Sequence, residues 1–242
     1  MDINKGNNDE ETPFFIACQD GHIEIVKLLL NYERVDINKT NKNEATPFYS
    51  ACCEGHIEIV KLLVHDKRVD LTQTEKDYWA SFWMACYDGQ IEIVKLLLND
   101  KRVDINKARN DGWTPFMIAC RNGHIDIVKL LLNDNRVDIN KASNDGWTSL
   151  NAICYNGHIE IVKLLLNDNR VDINKAKDDG WTPFYSACHE GDIDIVGYLL
   201  DDKRISIRKK TEKGKTAFDI ARANNHSEIV ELIEELDTGI SY

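Results

Sequence analysis

An all-α repeat solenoid, made of helix-turn-helix units joined by β-hairpin loops, is the fold class predicted by three features of this sequence. The segment GHIEIVKLLL at Gly21 returns in close variants at Gly55, Gly89, Gly123, Gly157 and Gly191, a spacing of 34 residues each time. A fixed internal period of this size marks stacked structural repeats and overrides the one or two compact domains that 242 residues would otherwise suggest. Each period holds two short helical patterns separated by a glycine. Each also carries a V-D-I-N type alternation that leads into turn residues such as Asn110-Asp111-Gly112.

The fourth unit shows the elements in order. Thr114-Pro115 reads as a helix start, with a hydroxyl at the N-cap and proline at the first helical position, where its missing N–H costs nothing. Gly123 follows soon after and supplies the left-handed residue that ends this first helix. A second helix is expected from about Ile125 to Asn133. Ile125, Ile127, Val128, Leu130, Leu131 and Leu132 cover most of its circumference, leaving Asp126 and Lys129 for solvent. So short and apolar a helix must be covered on two sides, which stacked neighbours provide. Val137 to Asn140 then alternates like a strand and enters the next turn.

At this point the residues resemble the ankyrin repeat. The family's T-P-L-H-x-A signature is matched by TPFFIA, TPFYSA, ASFWMA, TPFMIA, TSLNAI, TPFYSA and TAFDIA, and G-H-x-E-I-V and D-(V/I)-N follow at fixed offsets. The resemblance spans essentially the whole chain as one domain, residues 1–242. Its units run over 8–41, 42–75, 76–109, 110–143, 144–177, 178–211 and a shorter 212–242. The histidine of the signature is replaced by Phe15, Tyr49, Trp83, Met117, Asn151, Tyr185 and Asp219, which predicts loss of its usual hydrogen-bond link. The third unit has Tyr78 for the turn glycine and Ala80-Ser81 for Thr-Pro, so a distorted hairpin is expected there. Gly197 sits inside a helix, a weakness of ~0.5–1 kcal/mol relative to alanine.

The last unit reads as a C-terminal cap, with Glu231, Glu234 and Glu235 wetting one side of its second helix. The first unit keeps Ile16, Ile23 and Ile25 on the face where a preceding repeat docks in the family. The chain also begins within a hairpin pattern, MDINKGN. Further repeats, another domain or chain, or self-association through that face are the expectations, beside a tolerated apolar end.

No apolar run is long enough to span a membrane, and the N-terminus lacks a secretory pattern. Seven cysteines, an odd number, point to reduced thiols in a cytoplasmic or nuclear setting. A net charge of −11 disfavours nucleic acid as the main partner. The one basic run, RISIRKKTEKGK, is short and broken by acid, and reads as solvated rather than as a phosphate patch.

No metal, cofactor or catalytic constellation is expected. Cys18, Cys52, Cys86, Cys120, Cys154 and Cys188 hold one equivalent position per unit, and His22, His56, His124 and His158 another. Equivalent residues of stacked helix pairs lie ~8–10 Å apart, too far for shared zinc ligation or a disulfide. The cysteines read as small core residues, the histidines as local helix-junction residues, and Cys53 as the exposed thiol. Lys213 to Thr216, KGKT, imitates the end of a phosphate loop but lacks the glycine expected at position 209.

Function is sought where the units differ from one another. One row is the hairpin tips, with Trp79, Trp113, Trp147 and Trp181. The other is the pair before the turn glycine, including Tyr87-Asp88, Arg121-Asn122, Tyr155-Asn156 and His189-Glu190. The resemblance implies that both rows line a concave groove that grips a protein partner, and Trp, Tyr and Arg are enriched at interface hot spots. The tryptophans could equally pack on neighbouring hairpins and stiffen the array. The row Phe15, Tyr49, Trp83, Met117 and Tyr185 reads as core filler. The expected function is a non-catalytic interaction scaffold or adaptor; the alternative is the repeat portion of a longer polypeptide that carries an enzymatic or channel domain. As a third option, Asn38, Asn106, Asn140 and Asn174 resemble the ankyrin motif that asparaginyl hydroxylases modify.

Overall fold

A computed structural model of the protein describes residues 2–71 and 80–238, with side chains to residue 236. The chain forms two compact units, Met1–Asn110 and Asp111–Tyr242. The first contains α1 (Pro13–Gln19), α2 (Ile23–Leu30), α3 (Pro47–Cys53), α4 (Ile57–His65), α5 (Ser81–Tyr87) and α6 (Ile91–Leu98). The second contains α7 (Pro115–Arg121), α8 (Ile125–Leu132), α9 (Ser149–Asn156), α10 (Ile159–Leu166), α11 (Pro183–Glu190), α12 (Ile193–Asp201), α13 (Ala217–Ala223) and α14 (Ser227–Thr238). Within each unit the first helices of successive pairs pack on one another, and so do the second helices.

Local chemistry sets these boundaries. Thr12, Thr46, Thr114, Thr148, Thr182 and Thr216 each accept the N–H three residues ahead, capping the first helix of their pair. Ala80 has no hydroxyl, and α5 starts without a side-chain cap. Gly21 and Gly123 adopt φ of 76° at the turn between paired helices. A side chain there would also collide with a neighbour, because a Cβ on Gly123 would lie 2.9 Å from the His158 ring. Phe14, Phe48, Phe82, Phe116 and Phe184 are at most 2% exposed. Each is worth about 1.5–3 kcal/mol of burial, so they form the spine of the two cores. The row Phe15, Tyr49, Trp83, Met117 and Tyr185 is buried as expected.

The loops follow the expected hairpin course without regular strands. There is no strand among the described residues. Val35, Ile37, Val171 and Ile173 are buried, so the alternation marks the right side chains. The backbone beside them bonds to side chains instead of to a ladder. Asn38 Nδ2 donates to Arg68 O at 2.7 Å, and Asp70 N–H donates to Asn38 Oδ1 at 2.9 Å. Asn140 and Asn174 make the same paired link to the following repeat. The turn tips close on themselves, as in Ser143 N–H to Trp147 O at 2.9 Å. Among the described residues one bond ties a tip to the next in four places, as in Asn144 N–H to Asp111 O at 2.9 Å.

Two further expectations need correction. The histidines of the Gly-His pairs are not merely local. His56 Nε2 lies 2.8 Å from Gln19 O, and His158 Nε2 2.8 Å from Arg121 O, one repeat back in each case. Nor is the link at the signature histidine lost everywhere, since Asn151 Nδ2 donates to Trp181 O at 3.1 Å. The distorted hairpin expected around Tyr78 lies outside the described residues. Among the described residues, no helix is long and apolar enough to cross a membrane.

Candidate functional site

In the second unit the hairpin tips rise beside the C-terminal ends of α7, α9 and α11, and their aromatic side chains meet. The Trp113 and Trp147 centroids are 6.3 Å apart. Trp147 meets Tyr155 edge-on at 5.5 Å, and Tyr155 stacks on His189 at 6.4 Å. His189 lies 4.7 Å from Trp181, which in turn lies 4.7 Å from Tyr185. Rings from three successive repeats thus form one unbroken row. Each such pair contributes about 0.5–1.5 kcal/mol beyond its area, so the rings hold one another in place.

Turn chemistry aims the rings. Asp111 and Asp179 accept the N–H of Trp113 and Trp181, two residues on, which fixes each tip. Cations lie against the indoles. Arg121 sits 5.0 Å from the Trp113 centroid, and Lys177 Nζ lies 4.1 Å from Trp147 and 4.8 Å from Trp181. Lys177 is a contributor that the sequence reading missed. Its signal was available, because the first residue of the hairpin changes from unit to unit (Asn41, Arg109, Ser143, Lys177, Thr211) while the frame around it stays fixed.

Two depressions open along this row. One of about 230 Å³ is lined by Trp113, Arg121, Asp145, Trp147, Tyr155 and Asn156. The other, of about 360 Å³, is lined by residues that include Trp181, Tyr185, His189, Lys213, Lys215 and Ile220. Tyr155 is 40% exposed while Trp113 is only 9% exposed. The tyrosine therefore offers contact area and the tryptophan mostly supports it. Asn156 is exposed and donates to Ala152 O at 2.8 Å, Asn122 is half-buried, and His189 Nδ1 lies 2.6 Å from exposed Glu190.

The first unit holds a smaller cluster. Tyr87 is 42% exposed and stacks on buried Trp83 at 5.4 Å, with Arg109 5.3 Å from the Trp83 ring. Asp88 is exposed beside it. Trp79 lies outside the described residues.

The row of core cysteines is buried throughout. Burial pushes the Cys18 thiol up to about 12 and raises Cys52, Cys120, Cys154 and Cys188 as well, which keeps them protonated and unreactive. Cys53, expected to be the more exposed thiol, is the one cysteine not fully buried, although it packs against the cluster of Phe15, Ala45 and Tyr49. Among the described residues no group of three or more His, Cys, Asp or Glu side chains is placed to hold a metal ion.

A family model described as ankyrin repeats matches residues 1–75, 82–177 and 169–241. No curated protein matches the chain in sequence.

Proposed function

The chain belongs to the ankyrin-repeat family, whose members are in general protein-binding modules, and from that premise we propose that it is a non-catalytic scaffold or adaptor that grips a protein partner. The binding surface is the row Trp113, Trp147, Tyr155, His189 and Trp181 in the groove of the second unit, with Arg121, Asn122, Asn156 and Glu190 at its margin. The observation that supports this most is the continuity of the ring contacts across three repeats, bordered by two depressions. Preorganised rings lose little conformational freedom on binding, which is why such residues dominate interface energetics. In the first unit, Tyr87 and Asp88 are a candidate contact of their own.

The test is a quantitative pull-down comparing the parent with an Arg121→Ala/Tyr155→Ala variant. Both side chains are exposed, so the variant should stay folded, melting somewhat below the parent because Tyr155 leaves two ring pairs and Arg121 one cation–π contact. A protein held by the parent and released by the variant, and crosslinking to Asn156 or Glu190, is the expected result. Equal retention would confine the aromatic row to a stiffening role.

A second reading is favoured by the first unit's open face, where Ile25 is 47%, Leu28 56% and Tyr32 53% exposed. That surface suits docking of another apolar face, from further repeats of a longer polypeptide or from a second copy. The third option, modification of the D-I-N asparagines, has to contend with the carboxamides of Asn38, Asn140 and Asn174. Each is bound at both ends to the next repeat.

A further inference from the structure

The last hairpin breaks the pattern that the three before it share. In those, a carboxylate and an indole stand two residues apart: Asp111 and Trp113, Asp145 and Trp147, Asp179 and Trp181. At the equivalent positions the last hairpin has Lys213 and Lys215. Both lysines are exposed, form no side-chain ion pair among the described residues, and line the depression of about 360 Å³ next to Trp181 and Tyr185. Seven Lys or Arg and a single acid occupy residues 203–215, in a chain whose net charge is −11. A terminal repeat needs a wettable outer side, but Glu231, Glu234 and Glu235 on α14 already supply one. Solubility therefore does not account for lysines that border an aromatic pocket.

The nearby carboxylates are already engaged. Asp179 accepts the Trp181 N–H at 3.1 Å and lies 3.3 Å from Lys177 Nζ. Asp219 accepts the Thr216 N–H at 2.9 Å, and bonds with Thr216 hold its carboxyl below the usual range. The remaining carboxylate at the rim is Glu212, the single acid in that basic stretch. What remains for a ligand is a largely apolar, ring-lined floor with two exposed ammonium groups at its edge, neither in a close ion pair, though Lys215 also lies within the field of Asp219. A volume near 360 Å³ falls in the range of sites that take a side chain or small ligand, ~300–1,000 Å³.

We propose that this pocket anchors an acidic peptide segment of the partner, with an apolar or aromatic side chain seated against Trp181, Tyr185, His189 and Ile220 and flanking carboxylates paired with Lys213 and Lys215. The inference rests on the partner-binding reading above and adds the chemistry of the bound segment. Phosphate backbones also combine charge with stacking, but the acidity of the whole chain repels a polyanion far more than it repels a segment with two or three carboxylates. The lysines steer the encounter and fix the register, while the ring-lined floor supplies most of the contact area.

The experiment is selection of a random twelve-residue peptide display library on the full chain. Selected peptides are then synthesised and titrated by fluorescence anisotropy against the parent, a Lys213→Glu/Lys215→Glu variant and the Arg121→Ala/Tyr155→Ala variant. The expected result is enrichment of Asp and Glu around one aromatic or large aliphatic residue, with at least ~10-fold weaker binding to the charge-reversed chain and weakening by salt. Peptides lost on Arg121→Ala/Tyr155→Ala but held equally by the charge-reversed chain would overturn the acidic-segment proposal and leave the aromatic row intact as a binding surface. Peptides held equally by both variants would overturn both readings. A twelve-nucleotide thymidine strand that binds more tightly than the selected peptides, and is lost on charge reversal, would replace the peptide with a nucleic acid. The substituted lysines are exposed, so unchanged melting is the control on folding.

Discussion

Each position in this chain has equivalents one repeat away, so a single residue can be judged against its own internal controls. The segment IDIVGYLL of α12 puts Gly197 and Tyr198 where α2, α6 and α10 carry Lys and Leu. A Cβ at Gly197 would meet nothing within 4 Å, and the residue has no left-handed backbone to defend. Gly197→Ala is therefore expected to stabilise the protein by about 0.5–1 kcal/mol, raising the melting temperature by roughly 1–4 °C. A thermal melt decides it, and a lowered midpoint would show that the glycine is required. Residue-level roles were only partly legible from sequence. The aromatics at the signature-histidine position and those before the turn glycine are the same residue types. What separates them is which side of a helix of seven or eight residues they leave from, and so short a helix gives too little periodicity to tell. Trp83 is buried and Tyr155 exposed because the fold puts them there. The hairpin tryptophans had two open readings, and their interlocked rings favour neither alone.

At the scale of elements, the recurring D-x-R of the loops acts on helix ends. Arg170 donates to both oxygens of Asp168 and to Leu132 O, the last residue of the preceding repeat's second helix. Arg68, Arg102 and Arg204 do the same for Leu30, Val64 and Leu166. This satisfies an orphan carbonyl and puts a cation at the negative end of the helix dipole. Hydrogen bonds from Arg170, foremost, hold the Asp168 carboxyl below the usual carboxylate range, and Asp66, Asp100, Asp134 and Asp202 are lowered in the same way. A depressed folded-state value means stability that is fully present above the unfolded value of ~3.9 and is lost as pH falls through the folded one. Asp168→Asn should accordingly cost about 1 kcal/mol near neutral pH and progressively less as the solution is acidified toward pH 3. Urea denaturation at both pH values measures the difference, and an equal loss at each would assign the cost to packing. The helices themselves were legible in the sequence because Thr-Pro, Gly and the apolar run are local signals. The Asp-Arg-carbonyl clamp was not, because its acceptor lies 38 residues back and becomes a neighbour only after stacking.

At the scale of the whole molecule, what one repeat buries shows what the first one leaves open. Ile25 is 47% exposed, whereas its equivalents Ile59, Ile93, Ile127, Ile161 and Ile195 are at most 2% exposed. Leu28 and Tyr32 widen the same face, while Ile16 and Ile23 are half-buried beside it. Within each unit the second helix of a pair packs on the second helix of the preceding pair, so α2 presents the shape that such a helix fits. Each fully covered isoleucine is worth about 1.5–3 kcal/mol relative to exposure. A surface with several such residues uncovered has a substantial drive to find a partner. The chain is therefore expected to self-associate through α2, with an average mass that rises with concentration in sedimentation equilibrium. Ile25→Glu/Leu28→Glu should return it to the monomer mass without lowering the melting temperature, since both side chains are exposed in the single chain. The Arg121→Ala/Tyr155→Ala variant should associate as the parent does. A parent that stays monomeric throughout the micromolar range would falsify this expectation, and the face would then be one that a chain of this family tolerates uncovered. Association that survives the α2 substitutions but falls with Arg121→Ala/Tyr155→Ala would move the contact to the aromatic row and make a second copy its occupant.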